Sequence, residues 1–204
     1  MAIKCLAFDL DGTLLLDGSK KIDPRTFDSI QKAMAQGMHI VIASGRDKNG
    51  CKFVYEPLGL ENGNHFLALV NGQIIYDFEN KEYDLDDVLT TEDGIKAALS
   101  DYDVLLVGPD WLEIMPKHVS KASALWKICD QLGISMNEVM AFGDAQNDLK
   151  MLQQVGIGVA MGNAMDEAKY AATVVTDTNM NNGIGKVIDA LLAGKEMDLR
   201  KGLL

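Results

Sequence analysis

Four short apolar runs in this chain, residues 3–8, 39–43, 66–70 and 139–142, each break off at a polar or glycine-containing stretch, and that repetition restricts the fold more than any other feature. The first run stops at Asp9-Leu10-Asp11-Gly12, the second at Ser44-Gly45-Arg46, the third at Asn71-Gly72 and the fourth at Gly143-Asp144. Apolar runs this short, bounded by turn residues, read as strands buried on both faces. Between the first two lies a helix signal. Asp23 is placed as N-cap with Pro24 at the first helical position; Phe27, Ile30, Ala33 and Met34 keep helical spacing, and Gly37 follows as a terminator. Strand, helix, strand, with polar residues collecting after each strand, predicts an α/β fold. Its site lies at the carboxyl edge of a parallel sheet covered by helices on both faces.

The rhythm breaks over residues 77–116. That stretch is richly acidic (Asp84, Asp86, Asp87, Glu92, Asp93) and offers one helix around 91–99 and strands at 103–107 and 111–115. A helix over 120–132, a strand at 139–142, a helix over 147–153, a strand at 156–160 and a last helix over 184–192 then restore it. We therefore divide the chain into a core domain, residues 1–76 and 117–204, and a small α+β insertion, 77–116. A chain of 204 residues has the length for such a core with a minor insertion.

The formal net charge of −11 argues against nucleic acid or an anionic membrane as partner, because both would be repelled over most of the surface. An anionic substrate then needs a local cationic site. Cys5, Cys51 and Cys129 are odd in number and far apart, without a CxxC pair, so neither a disulfide framework nor a zinc site is indicated. The first apolar stretch is too short for a signal peptide, and no run approaches the roughly 20 residues that span a bilayer. A cytoplasmic location is expected.

Asp9 and Asp11 at a strand end form a compact acidic site that a hard divalent cation would compensate, with carboxylate and carbonyl oxygens favouring Mg²⁺. Asp144, after the fourth apolar run, is expected beside Asp9 on an adjacent strand. An isolated Asp-x-Asp is also an ordinary capping turn; the third carboxylate is what favours a site. The motifs Asp9-Leu10-Asp11-Gly12-Thr13-Leu14, Ser44-Gly45-Arg46 and Gly143-Asp144-Ala145-Gln146-Asn147-Asp148, with Val159-Ala160-Met161-Gly162-Asn163-Ala164 behind them, occur in that order. On these residues the chain resembles the haloacid dehalogenase (HAD) superfamily, and within it the Cof-type sugar-phosphate phosphatases.

The resemblance implies a Rossmann-like HAD core and a Mg²⁺-dependent phosphomonoesterase acting on a sugar phosphate or similar small phosphorylated metabolite. Asp9 is implied as nucleophile and metal ligand, and Asp11 as general acid and base whose backbone carbonyl joins the metal. Asp144 is implied as the third metal ligand, with Asp148 supporting it. Ser44, Gly45, Lys121 and Asn147 are implied at the phosphate, with Lys117 a rival to Lys121. Arg46 reads either as a substrate contact or as a surface ion pair, and Asn71 as a phosphate-side donor or a type I′ turn residue.

Other signals point away from function. The glycines from Gly156 to Gly162 lack the sixth-position glycine of a dinucleotide loop, and Asp177, Asn179 and Asn181 imitate a calcium loop without its glycine and glutamate. His39, His65 and His118 have no ligand spacing, and Trp111 and Trp126 read as packing residues of the insertion or core. Cof-type proteins usually carry a much longer insertion, so substrate identity is what this chain leaves open. Competing classes are a HAD phosphomutase or phosphotransferase and a non-enzymatic interaction protein on the same fold. The apolar residues of so short an insertion suggest a homo-oligomer formed partly through it.

Overall fold

The computed structural model describes residues 2–85, 102–108 and 111–194. Its main sheet has eight strands: β1 (Cys5–Phe8), β2 (His39–Ala43), β3 (Phe66–Leu69), β4 (Ile74–Asp77), β5 (Glu82–Leu85), β8 (Val139–Gly143), β9 (Ile157–Ala160) and β10 (Val174–Val175). They lie in the order β10-β9-β8-β1-β2-β3-β4-β5. The pairs from β10 to β3 are parallel, and β4 and β5 add an antiparallel edge. β6 (Tyr102–Gly108) and β7 (Trp111–Pro116) form a separate antiparallel pair. β5, a strand not foreseen, falls within the 77–116 stretch assigned to the insertion but hydrogen-bonds to β4 and so extends the core sheet. The helix expected around 91–99 lies outside the described residues.

Alternation along the strands divides the core in two. Leu6, Phe8, Ile40, Ile42, Leu67, Leu69, Met140 and Phe142 face one layer of helices: α1 (Pro24–Ala35), α2 (Lys48–Leu58), α5 (Asp166–Ala171) and α6 (Gly183–Leu192). Cys5, Ala7, Val41, Ala43, Ala68 and Ala141 face α3 (Lys121–Leu132) and α4 (Leu149–Gln154). All four of these strands present an alanine at the α3 face, and small side chains let a helix pack close to the sheet. That approach carries the first residue of α3 under the carboxyl edge.

The caps foreseen for α1 are present, with Asp23 accepting from the Arg25 amide and Gly37 at φ +84° beyond the end. The α2 helix was not foreseen. Gly50 and Pro57 lower its propensity, yet Cys51, Val54, Tyr55 and Leu58 keep a buried face at helical spacing and Asp47 caps it from the Gly50 amide. Burial outweighs the two helix breakers. Trp126, expected to be a packing residue, is instead 55% exposed on α3, with its indole N–H donated to Gln154 Oε1 at 2.9 Å. No helix among the described residues is long and apolar enough to cross a membrane.

One glycine fixes how the β3–β4 turn meets α3. Gly72 has φ +99°, and a Cβ there would run into the backbone carbonyl of Ser120, the N-cap of α3. Gly72→Ala is expected to cost about 2 kcal/mol or more from backbone strain alone. For a domain of this size that is a fall in Tm of at least about 5 °C, readable by thermal unfolding.

Candidate active site

β1 is central and in register with both neighbours, Phe8 lying opposite Phe142 on β8 and Ile42 on β2. The residues that follow these strands, Asp9, Ser44 and Asp144, are therefore brought side by side at one edge. The Phe8 and Phe142 rings stack at 5.1 Å directly beneath.

After β1 the chain makes a wide turn over Leu10–Leu14 in which Gly12 takes φ +81°. A Cβ at Gly12 would collide with the Asp144 carboxylate, so only glycine lets the two loops close on each other. Thr13 Oγ1 donates to Asp144 Oδ1 at 2.6 Å across that contact. On the other side Lys121 Nζ donates to Asp9 Oδ1 at 2.5 Å and to Asp148 Oδ1 at 2.7 Å. Asp148 Oδ2 accepts the amides of Asp144 and Ala145 at 2.9 and 3.0 Å. Asp148 is thus fully engaged, and supports the loop rather than facing the cleft.

Asp9, Asp144 and Asp148 have oxygens within 4.8 Å of one another, against the single ammonium of Lys121. Burial pushes the Asp9 carboxyl well above its ordinary range against the pull of Lys121, and Asp148 and Asp144 add to the rise. Asp144 is pushed up to about 6, chiefly by burial and then by Asp148, against the Thr13 hydrogen bond and Lys121. Burial alone would lower Lys121, but Asp148 and Asp9 outweigh it and hold the ammonium charged. Asp9 and Asp144 each have one oxygen held by a protein donor and one without a donor among the described residues. Two such carboxylate oxygens facing one another under excess negative charge are a hard, all-oxygen donor set that fits Mg²⁺.

Ser44 is buried at the end of β2, its Oγ accepting the Arg46 amide at 3.2 Å. Asn71 is a turn residue, as one of its two expected readings had it. With φ +53° followed by Gly72 it forms the turn closed by the Gln73 amide on the Val70 carbonyl, and its buried side chain accepts from Asn147 Nδ2 at 3.0 Å. Val70 is also at positive φ, a strained conformation for a β-branched residue, and its amide N–H donates to the Arg46 carbonyl at 3.1 Å. Asp11 and Arg46 stand apart from the carboxylate cluster. Arg46 Nε and Nη2 donate to the two oxygens of Asp11 at 2.8 and 2.7 Å, and the Asp11 side chain is 61% exposed. Lys117, the rival to Lys121, is exposed outside this arrangement.

The sequence profile of the haloacid dehalogenase-like hydrolases matches residues 6–94 and 83–188. The chain belongs to this family. Among its curated relatives, the 5-amino-6-(5-phospho-D-ribitylamino)uracil phosphatase YcsE of Bacillus subtilis is 28% identical over 239 positions, which cover 91% of this chain and 94% of the relative. The phosphoglycolate phosphatase of Natronomonas pharaonis is 29% identical, over 90% of this chain and 96% of its own. Among solved structures, a haloacid dehalogenase-like hydrolase from Bacteroides thetaiotaomicron superimposes with a TM-score of 0.82 at 23% identity, over 93% of this chain and 99% of that one. At that identity the likeness establishes the fold.

Sequence reasoning missed three residues that hold this HAD-like site together. Thr13 was quoted only as part of a motif. Asn163 Nδ2 donates to the Gly12 carbonyl at 2.7 Å and its Oδ1 accepts the Asn179 amide. Asn179 Nδ2 in turn donates to the Leu15 carbonyl and to Asp17 Oδ1. The segment that imitates a calcium loop is therefore a clamp on the loop after β1; Asp177 itself pairs with Lys186 at 2.7 Å. His65, as expected, is structural: buried, it accepts the Ile40 amide at Nδ1, and burial lowers it to about 4, so the ring stays neutral.

Proposed function

We propose that this protein is a Mg²⁺-dependent phosphomonoesterase that works through a phosphorylated Asp9. The observation that carries the reading is the state of Asp9: one oxygen is anchored to a buried lysine, and the other, beside Asp144, has no protein donor among the described residues. Asp9 attacks phosphorus in line, forming its P–O bond as the bond to the leaving oxygen breaks. Asp11 gives its proton to that oxygen, then takes one from the water that attacks the phosphorylated Asp9 and releases phosphate. Lys121 has three N–H donors and uses two on Asp9 and Asp148, so the third is available to a phosphate oxygen. The Ser44 hydroxyl, the Gly45 amide and Asn147 supply further donors for charge on the transferring group. Asp9, Asp144 and the Asp11 carbonyl would hold Mg²⁺, which supplies the positive charge that lets an anionic nucleophile approach an anionic ester.

Small phosphorylated metabolites are the substrate class that fits. Two relatives are named for such esters. The insertion between β4 and α3 is proposed as a compact cap. The alignment with the YcsE phosphatase extends over 239 positions, more than the 204 residues of this chain, so the relative carries residues that this chain lacks. Purified protein is expected to release phosphate from p-nitrophenyl phosphate with Mg²⁺, to lose that activity in excess EDTA and to regain it on adding Mg²⁺. No release in the presence of Mg²⁺ would refute the reading.

A further inference from the structure

Residues 70–72, the turn between β3 and β4, hold three successive positive φ angles: Val70 at +49°, Asn71 at +53° and Gly72 at +99°. For a β-branched residue that conformation is rarely populated, and such strain persists only where the surroundings over-determine it. Here the surroundings are two loops of the candidate site. The Val70 amide donates to the Arg46 carbonyl at 3.1 Å and the Asn71 amide to the Ser44 carbonyl at 2.9 Å, so the turn is tied to the loop after β2 on either side of Gly45. Gly72 lies against the Ser120 carbonyl, where no Cβ fits.

These ties lay the Asn71 side chain over Gly45, where an added Cβ would stand 3.3 Å from Asn71 Nδ2. Asn71 is only 2% exposed, and its Oδ1 accepts from Asn147 Nδ2 at 3.0 Å. Among the described residues the Asn147 side chain has no other hydrogen-bond partner. The next residue, Asp148, is locked by Lys121 and by the amides of Asp144 and Ala145, which fixes the main chain at Asn147. Asn147 thus links the Lys121 side of the site to the Ser44–Gly45 side, with one N–H engaged on Asn71 and a second left over.

A carboxamide carries donors at one end and an acceptor at the other, and a half-turn of the group exchanges them. A phosphate oxygen is attracted to the first and repelled by the second. The Asn71 carbonyl oxygen selects between them, because only the nitrogen end of Asn147 can meet it. We infer that Asn71 is a positioning residue: held by a strained turn, it orients Asn147 as a donor to phosphate without touching phosphate itself. The inference rests on the phosphomonoesterase reading for the place of the phosphate group. It also gives the strain at Val70 a use, since a relaxed turn would not carry Asn71 across Gly45 to Asn147.

The test is a double-variant cycle on the binding of inorganic phosphate with Mg²⁺, read by titration calorimetry. Asn147→Ala is expected to weaken binding about tenfold, the usual loss when a hydrogen bond to a charged group is removed. Asn71→Gly keeps the turn, because glycine takes positive φ freely, and is expected to weaken binding about fivefold. Asn71→Ser, whose hydroxyl is too short to reach Asn147, is expected to match it. In the Asn147→Ala background neither change at Asn71 is expected to weaken binding further. A turn that merely loosened would disturb the Ser44 and Gly45 donors as well, and its loss would add to that of Asn147→Ala. Unchanged binding in Asn71→Gly, a further loss of about threefold or more in the double variant, or no binding by the parent overturns the inference. Release of phosphate from p-nitrophenyl phosphate by the same parent protein keeps the phosphatase reading in each of those cases. The expected cycle in a protein that releases none overturns that reading and leaves the Asn71–Asn147 couple standing.

Discussion

Asp9→Asn is expected to lower Mg²⁺-dependent hydrolysis of p-nitrophenyl phosphate by more than about a thousandfold, since it removes the nucleophile and a charge on which metal binding depends. Asparagine has nearly the same size and can still accept from Lys121, so the loss is one of chemistry and not of packing. Stability separates the two explanations. The parent site sets three carboxylates against one ammonium, and burial already disfavours the charged form of Asp9. Without Mg²⁺ the variant is therefore expected to melt no lower than the parent, while its gain in Tm on adding Mg²⁺ shrinks. Turnover within tenfold of the parent would rule out covalent catalysis by Asp9.

Lys121→Met is expected to have the opposite signature, with stability and activity falling together. Its ammonium is fully buried and is the cation paired with Asp9 and Asp148. Removing one partner of a buried ion pair costs about 3–5 kcal/mol, because the remaining charge is left without compensation. Methionine fills the space but supplies no donor. For a domain of this size the fall in Tm is about 10 °C. Turnover is expected to drop at least about a hundredfold through loss of a donor to the transferring phosphoryl group. Combining the variant with Asp9→Asn is expected to restore part of the Tm, since one of the carboxylates left unpaired is then neutral; strictly additive losses would show that Lys121 and Asp9 are not coupled.

The fold was legible wherever local signals agreed. Apolar runs gave β1, β2, β3, β8 and β9 to within a residue or two but not β4, β5 or β10, and Asp23, Pro24 and Gly37 marked the ends of α1 because capping is a property of a few neighbouring residues. The α2 helix went unread because its two breakers outvote its buried face until that face has a sheet to pack against. Trp126 was misjudged for the converse reason: its size suggested burial, but its place on α3 turns it to solvent.

The candidate site divides in the same way. The residue types at the strand ends, Asp9, Ser44 and Asp144, were determined by the sequence itself, because in a parallel sheet every strand delivers its following residue to the same edge. Which partner each side chain takes was not. Lys117 and Lys121 are equivalent as letters; the Ser120 cap and the close contact at Gly72 make Lys121 the first residue of α3 and bury it against Asp9. The Arg46–Asp11 pair, 35 residues apart, and the Asn163–Asn179 clamp, which reaches back across the chain to Gly12 and Leu15, exist only once the sheet is assembled. Hydrogen bonds of a few ångströms between distant residues depend on where whole strands and helices come to rest, and only the tertiary packing decides that.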